Sequence, residues 1–438
     1  MSIADYTRFI NPDAVPRIPK AAARMSLDDY PPFLERLLGM WRPLSRAPFR
    51  GITTDGHAIP NLFSADDQGA PNAAACEAAM RWLDALPDEA RAQVCLPVDS
   101  HLWRHWQNTP LMLRTPQFEL LELPLPLREL GMEIVRASLS PTGFARTRDV
   151  MANNLFLGRL IDLTDLLNDW AFTLTIFGQP SPHQPWGWQL FGHHLSLNCM
   201  FIGGHMTLSP VFMGLEPDHD HGLAHRRMFE PHEQRALGLF AALDDRLQKQ
   251  AVLYDSMLTM DQPADRYHPD DGRQVGGAFQ DNRIVPYEGA AVADFDATQR
   301  RRLLDLAELF VANMPDGPAE GRMREIERYL DQTHFAWIGK ADDINPFYFR
   351  IHSPVALLEF DHHSGIFLAN EDPARFHVHT IARSPNGGDY GFDLLRQHYA
   401  AGGHNRPDVP GAKHSNAHSG QGAHTHSHDG GRTFHHHD

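Results

Sequence analysis

Apolar residues recur at helical spacing through the first part of the chain. Phe33, Leu37 and Trp41 lie four positions apart, which predicts one face of an α-helix, and Pro43 is expected to limit that helix. Residues 1–170 as a whole are predicted to be mainly helical and to pack on a core formed by the region that follows. Helices are predicted at residues 72–94 (with a new start at Pro87), 127–170 (with a break near residues 140–143), 231–257, 296–313, 318–331 and 393–400.

The pattern changes at Ala171 to short runs of aromatic and β-branched residues, punctuated by glycine. Such runs are typical of β-strands joined by tight turns. They fall into two blocks, residues 171–214 and 333–383, which we expect to pair into one antiparallel or mixed sheet flanked by helices. The predicted fold class is therefore α+β. We find no internal repeat of fixed period, and we expect residues 1–170 and 171–402 to form a single compact unit.

The end of the chain, residues 403–438, has low complexity, with glycine, serine and nine histidines. Because it has little apolar surface to bury, it is predicted to be disordered. Its histidines, like Asp218, His221 and His225 in a polar loop, are able to bind zinc, nickel, cobalt or copper. Such a tail is typical of metal scavenging or buffering, although the run 435–437 taken alone also fits an engineered tag.

Composition and charge narrow the class of partner. The chain has 438 residues, of which 42% are hydrophobic, and a formal net charge of −16. Phosphate binding needs concentrated Lys and Arg, so neither nucleic acid nor a membrane surface is an expected partner. The expected partners are a small-molecule substrate and transition-metal ions, and the oligomeric state is left open.

The cysteines and the chain start bear on location. Cys76, Cys95 and Cys199 are odd in number and widely spaced, which fits a reduced compartment and no disulfide framework. The first residues lack a basic start followed by an apolar run, and no run of eighteen apolar residues occurs. We therefore expect a cytoplasmic protein.

The most informative segment is Arg375–Arg383, which reads as a β-strand. Strand side chains alternate between faces, so His377, His379, Ile381 and Arg383 should point the same way. Two imidazoles on a rigid strand, with Cα atoms about 7 Å apart, can hold one transition-metal ion, and an arginine on that face can hold an anionic substrate. The alternative is a pair of buried, hydrogen-bonded histidines.

A second pair of imidazoles, His193 and His194, lies in the first strand block. If both residues belong to one strand, only one ring reaches the site. The face with His194 then also carries Trp188 and Asn198, and this polar face favours His194 as the ligand. A bulge at Gly192 would let both rings approach, and core packing around the aromatic residues is the alternative.

Four carboxylates are candidates for acid–base chemistry, metal ligation or support of the site. Glu216 ends a strand, Glu359 shares a strand face with Asp361, and Asp389 follows the strand that carries the histidines. Each single carboxylate is also explained by a surface ion pair, and the turn with Asp389 and Tyr390 by a simple hairpin. Motifs for nucleotide binding, zincin proteolysis and serine hydrolysis do not occur in the sequence.

Several segments together resemble a family of bacterial and fungal proteins described only as a domain of unknown function. They are WGWQLFGHHLSLN, SPVFMGLEP, FYFRIHSPVALLEFD and HVHTIARSPNGGDYG. The resemblance spans about residues 30–400 and leaves the histidine-rich tail outside. It implies no reaction, but it implies that the conserved blocks form one kind of site, here His193, His194, Glu216, His377, His379, Arg383 and Asp389.

The leading hypothesis is a metal-dependent hydrolase that acts on a small organic, carboxylate-bearing substrate. His377, His379 and one of His193 and His194 would hold zinc, with iron, manganese, nickel and cobalt as alternatives. Glu216 or Glu359 would act as base on a metal-activated water, Arg383 would bind the substrate anion, and Asp389 would support the site. Aromatic side chains of Trp186, Trp188 and Tyr348 are expected to line the substrate cavity.

Two other hypotheses remain. A non-haem iron oxygenase would use two histidines and a carboxylate, for example His377, His379 and Glu216. A metal-binding protein or metallochaperone would use the histidine-rich tail.

Overall fold

A computed structural model describes most of the chain before residue 403. The described residues are 32–109, 118–218, 227–266, 268, 271–365, 367–368, 370–402, 426–428 and 433–435. The chain divides into two compact units, Met1–Arg396 and Gln397–Asp438. The disorder predicted for residues 403–438 and the loop metal site with His221 and His225 fall on residues outside the described ones, apart from two short strands in the tail.

Ten α-helices occur in the described residues. They are α1 Pro32–Arg46, α2 Asn72–Ala85, α3 Asp88–Val94, α4 Leu125–Ser138, α5 Pro141–Leu160, α6 Glu230–Ala242, α7 Asp245–Ala251, α8 Ala297–Val311, α9 Asp316–Arg328 and α10 Phe392–Ala400.

Three predicted helix boundaries are wrong, one of them because α5 ends at Leu160 and not at Trp170. Pro43 lies inside α1, where it costs one hydrogen bond near the last turn without ending the helix. The single helix predicted over 231–257 is split, because Asp244 begins a new helix by accepting a hydrogen bond from the Leu247 N–H at 2.8 Å.

The strands form one mixed sheet, and this confirms the predicted α+β class and the pairing of the two strand blocks. They are β1 Cys95–Leu96, β2 Phe172–Phe177, β3 Trp186–Gly192, β4 Leu195–Ile202, β5 His205–Leu215, β6 Val252–Tyr254, β7 Ala290–Ala291, β8 His334–Gly339, β9 Phe347–His352, β10 Leu357–His362 and β11 Val378–Arg383. The order is β1-β2-β3-β4-β5-β11-β10-β9-β8-β6, with β7 beside β8. Only β1–β2 and β6–β8 pair in parallel. In the second unit, β12 His426–His428 pairs with β13 Thr433–His435.

The first unit contains the same series of elements twice. Two helices and a short strand are followed by two more helices and a four-stranded meander, first as α2, α3, β1, α4, α5 and β2–β5, then as α6, α7, β6, α8, α9 and β8–β11. In both halves the short strand pairs in parallel with the first meander strand. The last meander strands, β5 and β11, pair with each other in antiparallel register at the centre of the sheet. The halves are therefore arranged about an approximate two-fold axis.

Matching glycines support this repeat. Gly178 follows β2 and Gly339 is the last residue of β8, and both have positive φ, 78° and 93°. Each leaves room for the proline and aromatic residue that begin the next strand, Pro185–Trp186 in one half and Pro346–Phe347 in the other. Both turns therefore have the same construction, which only glycine accommodates.

The two faces of the sheet have different characters. One face packs against the helices in the main hydrophobic core, with Leu195, Met213 and Phe360 among its residues. The other face carries Glu359 opposite Ile381 and Asp361 opposite His379, and residues 271–281 lie over it. These acidic and imidazole side chains therefore lie on the face of the sheet that does not pack against the helices. Among the described residues, no helix has the length and apolar character needed to cross a membrane.

Candidate metal centre

His193 and His194 form the two-residue turn of the β3–β4 hairpin, because Gly192 pairs directly with Leu195. His194 has a φ of 61°, in the left-handed region that favours glycine, and its backbone N–H donates to Asn108 Oδ1 at 3.2 Å. The two rings stack with centroids 3.8 Å apart. The prediction that only one of the two rings reaches the site assumed that both residues lie in one continuous strand. Both residues lie in a turn, so that assumption is wrong.

The turn also changes which residues share a face. Trp188 pairs with Cys199, and Gln189, not Trp188, pairs with Asn198. Trp186 and Trp188 belong to the hydrophobic core on the helical side of the sheet. The predicted aromatic lining is therefore wrong for both tryptophans.

His379 lies on β11, and His377 immediately precedes this strand. Their alternation places both rings on the face opposite the helical core. His379 pairs with Gly214 of β5, where an added Cβ would lie 2.8 Å from His379 Cδ2 and 3.1 Å from His194 Cδ2. The absence of a side chain at Gly214 therefore leaves the space in which rings from the two halves of the sheet meet.

Three imidazoles converge through their Nε2 atoms. His377 Nε2 lies 3.2 Å from His194 Nε2 and 3.0 Å from His379 Nε2. Three nitrogens bound tetrahedrally to one ion at the usual zinc–nitrogen length would lie about 3.3 Å apart. One nitrogen from each of the three residues lies within 4.8 Å of the other two, so the three are able to bind a single ion and leave a fourth position for water or substrate.

The surroundings keep these rings neutral. All three are buried, and burial is the main cause that lowers their pKa well below the ordinary value, with the neighbouring histidines adding to it. Neutral imidazole is the form that binds metals. A neutral ring has one N–H, and when this proton is on Nδ1 in all three rings, the three Nε2 lone pairs face one another without a hydrogen bond between them. A cation at the centre would satisfy all three lone pairs.

Glu216 and His193 flank this set. Glu216 is 1% exposed, and its Oε1 lies 3.6 Å from His377 Nδ1 and accepts a hydrogen bond from the Leu368 N–H at 3.3 Å. Burial raises the pKa of Glu216 to about 8, against the opposing effect of the Leu368 N–H. Burial also lowers the pKa of His193 to about 3. Together with His194, these two side chains form a second group with donor atoms within 4.8 Å of one another.

His363 is a further imidazole of the cluster, which the sequence predictions missed. Its ring stacks on His379 with centroids 4.1 Å apart and lies 5.1 Å from the ring of His377. Its Nδ1 lies 3.1 Å from Oδ2 of the fully buried Asp361. A carboxylate in this position fixes the orientation and tautomer of an imidazole. The available signal was the spacing of Glu359, Asp361 and His363, which continues one strand face.

Glu359 has a different environment from the one predicted for a catalytic base. Its carboxylate accepts hydrogen bonds from the backbone N–H groups of Val275 and Gly276, both at 2.8 Å, and from the Tyr348 hydroxyl at 2.5 Å. Burial raises its pKa, while Arg350 and these donors act in the opposite direction. Glu359 therefore fastens the covering segment to β9 and β10, and none of these bonds involves an imidazole.

Arg383 and Asp389 belong to a buried ion network at the far end of β11. Arg383 Nε donates to Asp389 Oδ2 at 2.8 Å, Nη1 donates to the Gly276 and Gly277 carbonyls, and Nη2 donates to Asp281. Four positions of strand separate Arg383 from His379, about 13 Å. The structure does not bring this guanidinium to the imidazoles, and its donors are engaged within the protein.

Asp281 is the centre of that network and was not predicted. It accepts hydrogen bonds from Arg104, Arg383 and the Tyr390 hydroxyl. Burial alone would raise its pKa, but the two guanidiniums outweigh this effect, and the pKa of Asp281 lies below its ordinary value. This arrangement is that of a structural cross-link between three segments of the chain.

Comparisons with known proteins bear on the family and not on a reaction. A search of curated proteins and a search of solved structures gave no match. Residues 68–392, which include every residue of the imidazole cluster, match the sequence model of a family described as "Protein of unknown function (DUF3500)". The chain therefore belongs to this family.

Proposed function

We propose that the chain is a metal-dependent hydrolase whose ion is held by His194, His377 and His379. The observation that carries this proposal is the convergence of the three Nε2 atoms, with separations of 3.0 and 3.2 Å at His377. Three protein ligands with an open fourth position are the usual arrangement of catalytic zinc sites, and three histidines are one such ligand set. A bound divalent ion would lower the pKa of its water toward neutrality and so supply the nucleophile.

The residues around the ligands have separate roles in this proposal. The Asp361–His363 pair is the oriented base beside the ligands, and it replaces Glu216 and Glu359 in that role. Arg383 is not the substrate anchor, because its donors are held by Asp281, Asp389 and two carbonyls. The proposed substrate is therefore a small organic molecule, without the requirement for a carboxylate.

One observation favours an iron oxygenase as the second candidate. His193, His194 and Glu216 supply two imidazoles and one carboxylate within 4.8 Å of one another. This is the donor composition of non-haem iron oxygenases. Iron-dependent oxygen consumption that zinc does not restore would favour the oxygenase over the hydrolase.

The test compares metal content in matched variants of the full chain. To remove the contribution of the tail, its nine histidines are replaced by asparagine in every protein. The H377A/H379A variant should lose the tightly bound ion and the metal-dependent hydrolysis of 4-nitrophenyl acetate. The control H205A/H352A removes two buried histidines outside the cluster and should retain both. Unchanged ion content in H377A/H379A would refute the proposal.

A further inference from the structure

Glu216 is a buried carboxylate whose charge has no cationic partner among the described residues. Its hydrogen-bond donor is the Leu368 N–H, and the nearest positively chargeable group is the His377 ring, with Nδ1 3.6 Å away. A buried, unpaired carboxylate is strongly destabilising unless it is protonated or meets a cation. The position of Glu216 beside the imidazoles therefore suits a carboxylate that neutralises a bound ion.

His193 presents a lone pair whose availability is fixed by its neighbours. Asn154 Nδ2 donates to the Asn168 carbonyl at 2.8 Å, which sets the orientation of the Asn154 amide. Asn154 Oδ1 is then an acceptor, and it lies 2.9 Å from His193 Nδ1. His193 Nδ1 must therefore carry the proton, and Nε2 is left as an acceptor. A second residue that fixes the outer nitrogen of a ring is typical of metal-ligating histidines.

The ring of His194 lies between His193 and the other ligands. It stacks on the His193 ring at 3.8 Å, and its centroid lies 5.2 Å from that of His377 and 5.0 Å from that of His379. Nε2 of His194 faces His377. One of its ring nitrogens also belongs to the group formed with His193 and Glu216. An imidazole has two nitrogens and is able to bridge two ions.

We propose that a second divalent cation binds beside the first, held by His193, Glu216 and the shared ring of His194. The proposal rests on the function proposed above, because the first ion supplies one side of the bridge. When both ions are bound, both ring nitrogens of His194 donate lone pairs, and the remaining N–H proton leaves for solvent. Glu216 and the resulting imidazolate together offset part of the added positive charge.

The experiment measures stoichiometry in the full chain with the nine tail histidines replaced by asparagine. Cobalt(II)-loaded protein should contain two ions after gel filtration. E216Q, which preserves shape, and H193A should each contain one ion, with the visible cobalt absorption of the first site retained. That absorption also shows that the variants are folded. In copper(II)-loaded protein the bridged ions should couple, so that the EPR intensity falls below that of two spins, and H193A should give one full spin.

Other outcomes overturn the inference. A single ion that H377A/H379A removes would eliminate the second site while leaving the proposed function intact. Loss of both ions in E216Q would mean that Glu216 orients His377 and does not hold a second ion. Two uncoupled copper spins would eliminate the shared imidazole. Retention of every ion in H377A/H379A would refute the first site and the second together.

Discussion

At the scale of single residues, Glu216 shows how the fold prepares a site for positive charge. The side chain is buried at the end of β5, and its pKa is raised to about 8. In the unfolded chain a glutamate titrates near about 4.3. Without a cation, the folded protein must therefore keep Glu216 protonated at neutral pH or lose stability.

The pH dependence of stability should follow from this shift. Because the folded pKa lies above the unfolded one, the stabilising contribution is complete below about pH 4.3 and is lost as the pH rises through about 8. In urea unfolding of the metal-free proteins, the free energy of unfolding of wild type relative to E216Q should fall by a few kcal/mol between about pH 5 and pH 9. Parallel curves for the two proteins would contradict this, and added zinc should remove the difference in slope.

The residues of the cluster were only partly predictable. The histidines at 193, 194, 377 and 379 and Glu216 were identified because their residue types and strand positions indicate metal chemistry. The cross-strand register that brings them together depends on pairing between distant segments, which local sequence patterns do not reveal. Arg383 and Asp389 illustrate the limit, because on the same strand they form a separate network with Asp281.

At the scale of elements, β5 contributes to the site through Gly214, which has no side chain. Gly214 lies between the rings of His194 and His379, and any Cβ there would meet both. Glycine in the interior of a strand often marks close approach of another group, and here that group is a pair of imidazoles.

The G214A variant tests this role. The added methyl group should push the two rings apart and lower the metal affinity on the order of 10–100-fold, because ligand position is lost while the ligands remain. Isothermal titration with zinc in the tail-substituted chain measures the effect. The control is G39A, where an added Cβ meets nothing within 4 Å. Equal affinities in G214A and wild type would show that the rings do not need this gap.

Prediction of the elements succeeded where local signals were strong. The strand blocks were recognisable from aromatic and β-branched runs, and α2 and α3 from the proline at their junction. The β3–β4 turn was missed because it contains His193 and His194 and not the usual glycine or asparagine. Tertiary contacts hold His194 in its left-handed conformation, and these contacts cannot be predicted from local residue propensities.

At the scale of the molecule, the repeat explains where the site lies. The first half supplies the β3–β4 turn, the second supplies β11, and both reach the seam where β5 pairs with β11. This relation has little trace in the sequence. Pro141-Thr142-Gly143 and Pro315-Asp316-Gly317 are one trace, at equivalent helix junctions. These junctions touch, since an added Cβ on Gly143 would lie 2.4 Å from the Asn313 carbonyl oxygen.

An ion held by His194 from one half and by His377 and His379 from the other would cross-link the halves. Binding to the folded state alone stabilises by about 4 kcal/mol when the free ion exceeds its dissociation constant about 1,000-fold. Chelation should then lower the melting temperature on the order of 5–10 °C in calorimetry. Chelation should also speed amide exchange in the β5–β11 ladder more than in the β2–β3 ladder.

The control is H377A/H379A, which should melt at the metal-free temperature with or without chelator. A chelator effect of equal size in this variant would place the stabilising ion elsewhere, and faster exchange spread evenly over the sheet would mean that the ion does not act at the seam.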